Sequence, residues 1–82
     1  MSEAAPTHRL VAVLTARQQQ LGLTDGRFAR LMGLTRPLWQ AIRTGRRNVS
    51  LRLLAGVVRA FPDLEGEALA FLRNHTEEET NG

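Results

Sequence analysis

Apolar residues along this chain recur at intervals of three, four and seven, the period of helices buried on one face, and strand-like alternation is nearly absent. Thr7 is placed to cap a first helix reaching about Leu21, with Leu10, Leu14 and Leu21 on one side and Gly22 as a left-handed C-cap. Thr24 opens a second helix of about two turns, whose Phe28, Leu31 and Met32 form an apolar stripe before Gly33 stops it. A third helix starts at Thr35 and ends near Thr44, ahead of Gly45. Ser50 caps a fourth, in which Leu51, Leu54, Val57, Val58 and Phe61 repeat every three or four residues until Pro62. The run from Asp63 to Arg73 is a fifth, with acids in its first turn and Leu64, Ala68, Phe71 and Leu72 facing inward. The pattern predicts an all-α domain of five helices. Its expected core is Leu14, Leu21, Phe28, Ala29, Met32, Leu34, Trp39, Ile42, Leu51, Leu54, Val58 and Phe61. Residues 8–73 make up the predicted domain, between a flexible segment 1–7 and an acidic disordered tail 74–82.

The short helices on either side of Gly33-Leu34-Thr35 stand out. A three-residue turn containing glycine makes two helices cross steeply, which buries one face of the second and pushes the other into solvent. In the third helix Leu38, Trp39 and Ile42 share one arc, and Pro37, Gln40, Ala41 and Thr44 share the opposite arc, edged by Arg36 and Arg43. That exposed arc is narrow, holds no acid, and fits a groove about 12 Å wide. Pro37 is compatible with the first turn, where amides have no intrahelical acceptor. Because the residue before a proline avoids α geometry, the capping position falls at either Thr35 or Arg36.

Composition narrows the chemistry. Eighty-two residues, 43% of them hydrophobic, suffice for one small core but not for a roomy enclosed active site. The absence of cysteine removes disulfides and thiolate ligands and makes a reducing cytoplasm the expected compartment. The N-terminus lacks the features of a signal peptide, and no apolar run is long enough for a membrane span. His8 and His75 have no ligand spacing, and no nucleophile-base-acid set or phosphate-cradling glycine loop is present. Neither an enzyme nor a metal or cofactor site is expected.

Charge is sharply divided. All eleven basic residues are arginine, and ten of them lie between Arg9 and Arg59, where the only acid is Asp25. After Arg59 six acids face Arg73 alone. The asymmetry reads as a polyanion-binding body followed by an acidic end, the alternative on charge alone being a solvated surface that happens to be arginine-rich. Trp39 lies on the apolar arc and reads as core rather than a base-stacking residue, while Gln18-Gln19-Gln20 reads as a solvated helix end. Glu77 to Glu79 read as a solvated terminus, and no arginine precedes Arg9 to form a minor-groove arm.

Gly22-Leu23-Thr24, Phe28-Ala29, Met32-Gly33-Leu34-Thr35, Ile42 with Gly45, Arg46-Arg47-Asn48 and Ser50-Leu51 stand at fixed spacing without a gap. Over roughly Leu10 to Phe61 the chain thereby resembles the Cro and lambda-repressor (Xre) family of helix-turn-helix DNA-binding domains. The resemblance implies a five-helix domain whose third helix enters the major groove, commonly as a dimer on a pseudo-palindromic operator. It also implies phosphate contacts from the start of helix two and the loop after helix three. The family commonly pairs a glutamate and an arginine where this chain has Arg43 and Gln18, so that ion pair cannot form. Arg43 is then expected either on a phosphate or bonded to Gln18.

The expected base-reading set is Arg36 on guanine, Gln40 on an adenine edge or a backbone group, and Pro37 with Ala41 on thymine methyls. Thr24, Asp25, Thr35, Arg43, Thr44, Arg46, Arg47 and Asn48 are the expected phosphate side. The function expected is sequence-specific binding of double-stranded DNA by a small regulator, repressor-like or antitoxin-like. The alternative is an interaction module that keeps the fold and binds an acidic partner. A homodimer is expected, through Leu69, Phe71 or Leu72 of helix five unless these complete the monomer core, and a toxin is a possible protein partner.

Overall fold

A computed structural model of the chain describes the backbone of residues 6–81 and the side chains of residues 9–74. Its helices are α1 (Pro6–Leu21), α2 (Asp25–Leu31), α3 (Arg36–Arg43), α4 (Leu51–Ala60) and α5 (Glu65–Asn81), with a 3₁₀ turn at Pro62–Leu64. No strand occurs among the described residues, so the all-α expectation holds. α2 packs on α3, α5 on α1 and α4, and α3 also meets α1. No helix among the described residues is long and apolar enough to cross a membrane.

Local sequence sets the helix ends. Thr24, Thr35 and Ser50 are extended N-caps whose hydroxyls accept from the amides of Arg27, Leu38 and Leu53 at 3.2, 3.3 and 3.2 Å. The capping position of α3 is therefore Thr35, and Arg36 is helical despite preceding Pro37. The Thr35 cap and the Trp39 amide's 3.1 Å bond to the Thr35 carbonyl offset the local penalty. Gly33 and Gly45, at φ +75° and +84°, take the left-handed conformation that ends α2 and α3. The next amides, of Leu34 and Arg46, turn back to the carbonyls of Ala29 and Ala41, both at 2.8 Å, which satisfies the orphan acceptors of each helix end.

Phe28 and Trp39 are fully buried at the centre, their rings 5.3 Å apart, and Phe28 also stacks on Phe61 at 5.5 Å. Of the expected core, Leu14, Phe28, Ala29, Met32, Leu34, Trp39, Ile42, Leu54 and Phe61 are buried. Leu21, Leu51 and Val58 are not, at 47%, 74% and 37% exposed. In α4 the buried arc is centred on Val57 and includes Leu53 and Leu54, which leaves Leu51 and Val58 about 100° or more from its middle. Leu21 lies on the apolar side of α1 but in its last turn, and facing the right way does not bury a side chain that nothing covers. Leu10, Leu53, Val57, Leu64, Ala68 and Phe71 complete the core. The helical backbone of α5 runs to Asn81, through most of the segment expected as a disordered tail; no proline or glycine lies between Gly66 and Gly82. Likewise Pro6 and Thr7 belong to α1 rather than to a leading segment, and Pro6 suits a first turn that needs no amide donor.

Gly56 was not singled out by periodicity. It faces the end of α2 so closely that a β-carbon there would lie 2.1 Å from the Met32 carbonyl oxygen.

Candidate functional site

The exposed arc of α3 and the loop after it form an open concavity of about 550 Å³ lined by Thr35, Pro37, Leu38, Ala41, Arg46 and Arg47. Pro37 and Ala41 supply an apolar floor without a donor, and Arg46 and Arg47 stand at the rim. Arg36, Pro37, Thr44, Arg46, Arg47 and Asn48 are exposed, while Gln40, Ala41 and Arg43 are half-buried. The Arg36 stem lies over Gly26 of α2, where an added β-carbon would be 3.6 Å from its Cδ. Thr24 and Thr35 are exposed too, with hydroxyls engaged as caps. Thr44 donates its hydroxyl to the Gln40 carbonyl at 2.8 Å.

Behind this arc sits a polar relay that periodicity did not reveal. The indole Nε1 of buried Trp39 donates to Gln18 Oε1 at 3.0 Å. Gln18 Nε2 then donates to the Leu23 carbonyl at 3.1 Å and to Asp25 Oδ1 at 2.8 Å. The other carboxylate oxygen of Asp25 accepts from Gln40 Nε2 at 3.1 Å and from Arg43 Nη2 at 2.9 Å. Gln18 is thus no solvated helix end but the tie that joins α1 to α2 and α3.

These contacts bear on three expectations. Arg43 is neither a free phosphate ligand nor a partner of Gln18, because an acid one helix away is within ion-pair reach. Asp25 is an internal acceptor whose carboxylate would repel a phosphate. Gln40 spends one hydrogen on its own chain. An ion pair thus joins α2 to α3, between Asp25 and Arg43.

The acidic end also reaches into the basic block. Glu67 takes both Nε and Nη2 of Arg9, at 2.9 and 3.1 Å, and Asp63 pairs with Arg17, whose guanidinium lies 5.1 Å from the Phe61 ring centre. Both pairs tie α1 to the α4–α5 side. The uncompensated arginines are thereby concentrated on α2, α3, the following loop and α4. On the outer side of α2, Leu23, Arg27, Arg30 and Leu31 line a second concavity of about 310 Å³. Among the described residues no group of three or more His, Cys, Asp or Glu is placed to hold a metal.

Comparison of the chain with protein-family models, with curated proteins and with solved structures found no match.

Three carboxylates are held below their ordinary range: Asp25 by the amides of Gln18 and Gln40 and by Arg43, Asp63 by Arg17, and Glu67 by Arg9. A carboxylate depressed in the folded state contributes stability that is present above its unfolded value, about 3.9 for Asp and 4.3 for Glu, and is lost as pH falls through the folded value. The melting temperature should therefore hold level from pH 7 to about pH 5 and fall steadily below about pH 4. Thermal denaturation followed by circular dichroism checks this. A melting temperature that stays level or rises down to pH 2 would remove these pairs from the account of stability.

Proposed function

We propose that this protein binds double-stranded DNA in a sequence-dependent way as a small transcriptional regulator, with α3 in the major groove. The observation that carries the reading is the acid-free outer arc of α3, with Arg36 at its leading end and Arg46 and Arg47 beyond its trailing end, all exposed. Its resemblance to the Cro and lambda-repressor domains supports the same reading. Arg36 donates to a guanine edge, Pro37 and Ala41 pack on thymine methyls, and the remaining amide hydrogen and carbonyl of Gln40 meet an adenine edge. Arg46, Arg47 and Asn48 take phosphates.

One such helix spans few base pairs, so the operator is read by a homodimer with half-sites about 34 Å apart. Phe71, 7% exposed, belongs to the monomer core and is not offered to a partner. Leu69, at 49%, is the large apolar side chain exposed on α5 among the described residues, with Leu72 partly buried beside the core.

A second reading draws on the outer face of α2. There Arg27 and Arg30 flank Leu23 and Leu31, a surface suited to an acidic, partly apolar protein segment such as that of a toxin partner. The DNA reading is preferred because the exposed arc of α3 carries hydrogen-bonding and small side chains rather than a large apolar cluster.

Replacing Arg36 by alanine tests the DNA reading. Binding to a selected operator should weaken by about 1–3 kcal/mol, with preference relaxed at one base pair, while binding to random DNA changes little. Equal losses on both DNAs, measured by fluorescence anisotropy, would deny Arg36 a base-reading role.

A further inference from the structure

We infer that Asp25 is a specificity-determining positioning residue: held in place by Gln18 and Trp39, its carboxylate directly sets which way the Gln40 amide faces the groove and holds Arg43 back from the phosphates. The inference rests on the DNA-binding reading above and deepens it.

The polarity of the relay follows from donor and acceptor chemistry alone. An indole N–H can only donate, so Gln18 must turn its carbonyl oxygen to Trp39 and its amide nitrogen toward the Leu23 carbonyl and Asp25. An ionised carboxylate can only accept, so Gln40 must turn its nitrogen inward at 3.1 Å. One Nε2 hydrogen and Oε1 of Gln40 then have no partner among the described residues. A glutamine free to rotate presents either end to a base pair. Here the Asp25 carboxylate, itself held by Gln18, selects one orientation before DNA arrives, and pre-set geometry lowers the ordering cost of binding.

Arg43 is the second group governed by Asp25. Its guanidinium meets the carboxylate through Nη2, its Nε is buried without a partner among the described residues, and its side chain is 34% exposed. The pair places a full positive charge beside the recognition arc while an adjacent negative charge cancels it. Asp25 therefore lowers indiscriminate attraction to phosphates at the helix that reads sequence.

Asp25→Asn changes both functions without altering shape. An asparagine has one acceptor oxygen and adds a donor, so it cannot satisfy Gln18 on one side and Gln40 with Arg43 on the other. Wild type and Asp25→Asn are compared on a selected operator and on random DNA across a salt series. The ratio of the two affinities should fall by about tenfold. Binding to random DNA should tighten, and its logarithmic salt slope should steepen by about one, as Arg43 is released. A purely structural role would weaken both DNAs together, with lower thermal stability and no steeper slope.

A wild-type preference with an unchanged ratio in Asp25→Asn overturns the inference and leaves the DNA-binding reading standing. A wild type without preference overturns both. Should the variant not fold, the relay is read in wild type by nuclear magnetic resonance: the side-chain amide signals of Gln18 and Gln40 must move together as Asp25 takes up a proton. Independent movements would overturn it.

Discussion

Gly56→Ala is expected to destabilise the protein by about 3 kcal/mol, lowering the melting temperature by about 15 °C. The added β-carbon would sit 2.1 Å from the Met32 carbonyl oxygen and 2.9 Å from both the Met32 carbonyl carbon and Cβ. Most of this obstacle is backbone, and it cannot swing aside as a side-chain tip would. Met32 is the C-cap of α2, its amide bonded to the Ala29 carbonyl at 3.0 Å, so yielding means prising α4 away from the turn. Alanine returns about 1 kcal/mol of helix propensity, less than overpacking of this kind costs. Because the turn also sets the angle of α3, DNA binding should fail along with stability. Gly66→Ala, in α5 with nothing within 4 Å of the new carbon, is the matched control and should stabilise by about 0.5 kcal/mol. A Gly56→Ala protein melting within a few degrees of wild type would show that the helices pack less closely than described.

The second large effect concerns affinity rather than folding. The double substitution Arg46→Ala/Arg47→Ala should weaken binding to every DNA sequence by roughly a hundredfold, since two charge-assisted phosphate contacts of about 1.5 kcal/mol each are lost. The logarithmic salt slope should flatten by about two. The fold should survive. Both side chains are exposed, and the loop is held by the backbone amides of residues 46 and 47, which bond to the Ala41 carbonyl at 2.8 and 3.1 Å. Discrimination between operator and random DNA should barely change, in contrast to Arg36→Ala and Asp25→Asn. An unaltered salt slope would remove these two arginines from the phosphate side.

Much of the fold was legible because its signals are local. Caps at Thr24 and Ser50, stops at Gly22, Gly33 and Gly45, and the stripe in α2 each depend on a few neighbouring residues. The burial of Trp39 and Ile42 followed from their shared arc on α3. What escaped depends on which element lies opposite. Leu51, Val58 and Leu21 have the right spacing, yet helix periodicity says which residues share a side and not which side is covered. Gly56 looked like an unremarkable glycine in a helix because its partner is a carbonyl 24 positions earlier in the chain.

The site divides the same way. The exposure of Arg36, Pro37, Arg46 and Arg47 was readable from the helical wheel and the turn. The relay was not, since it joins residues 18, 25, 39, 40 and 43 from three helices. One signal pointed to it in hindsight: Asp25 is the single acid within a block of ten arginines, and Arg43 on the polar edge of α3 needed a counter-charge. Charge asymmetry alone overstated the free basic surface, because Arg9 and Arg17 are matched by Glu67 and Asp63 from the acidic end.

The most direct measurement is selection of bound fragments from a random duplex pool with the full chain at low ionic strength, followed by sequencing. Binding by a dimer through α3 should enrich a two-fold-related pair of short half-sites centred one helical turn apart, each containing a guanine contacted by Arg36. A folded protein that leaves the pool unenriched, or retains all duplexes alike in proportion to length, would contradict it.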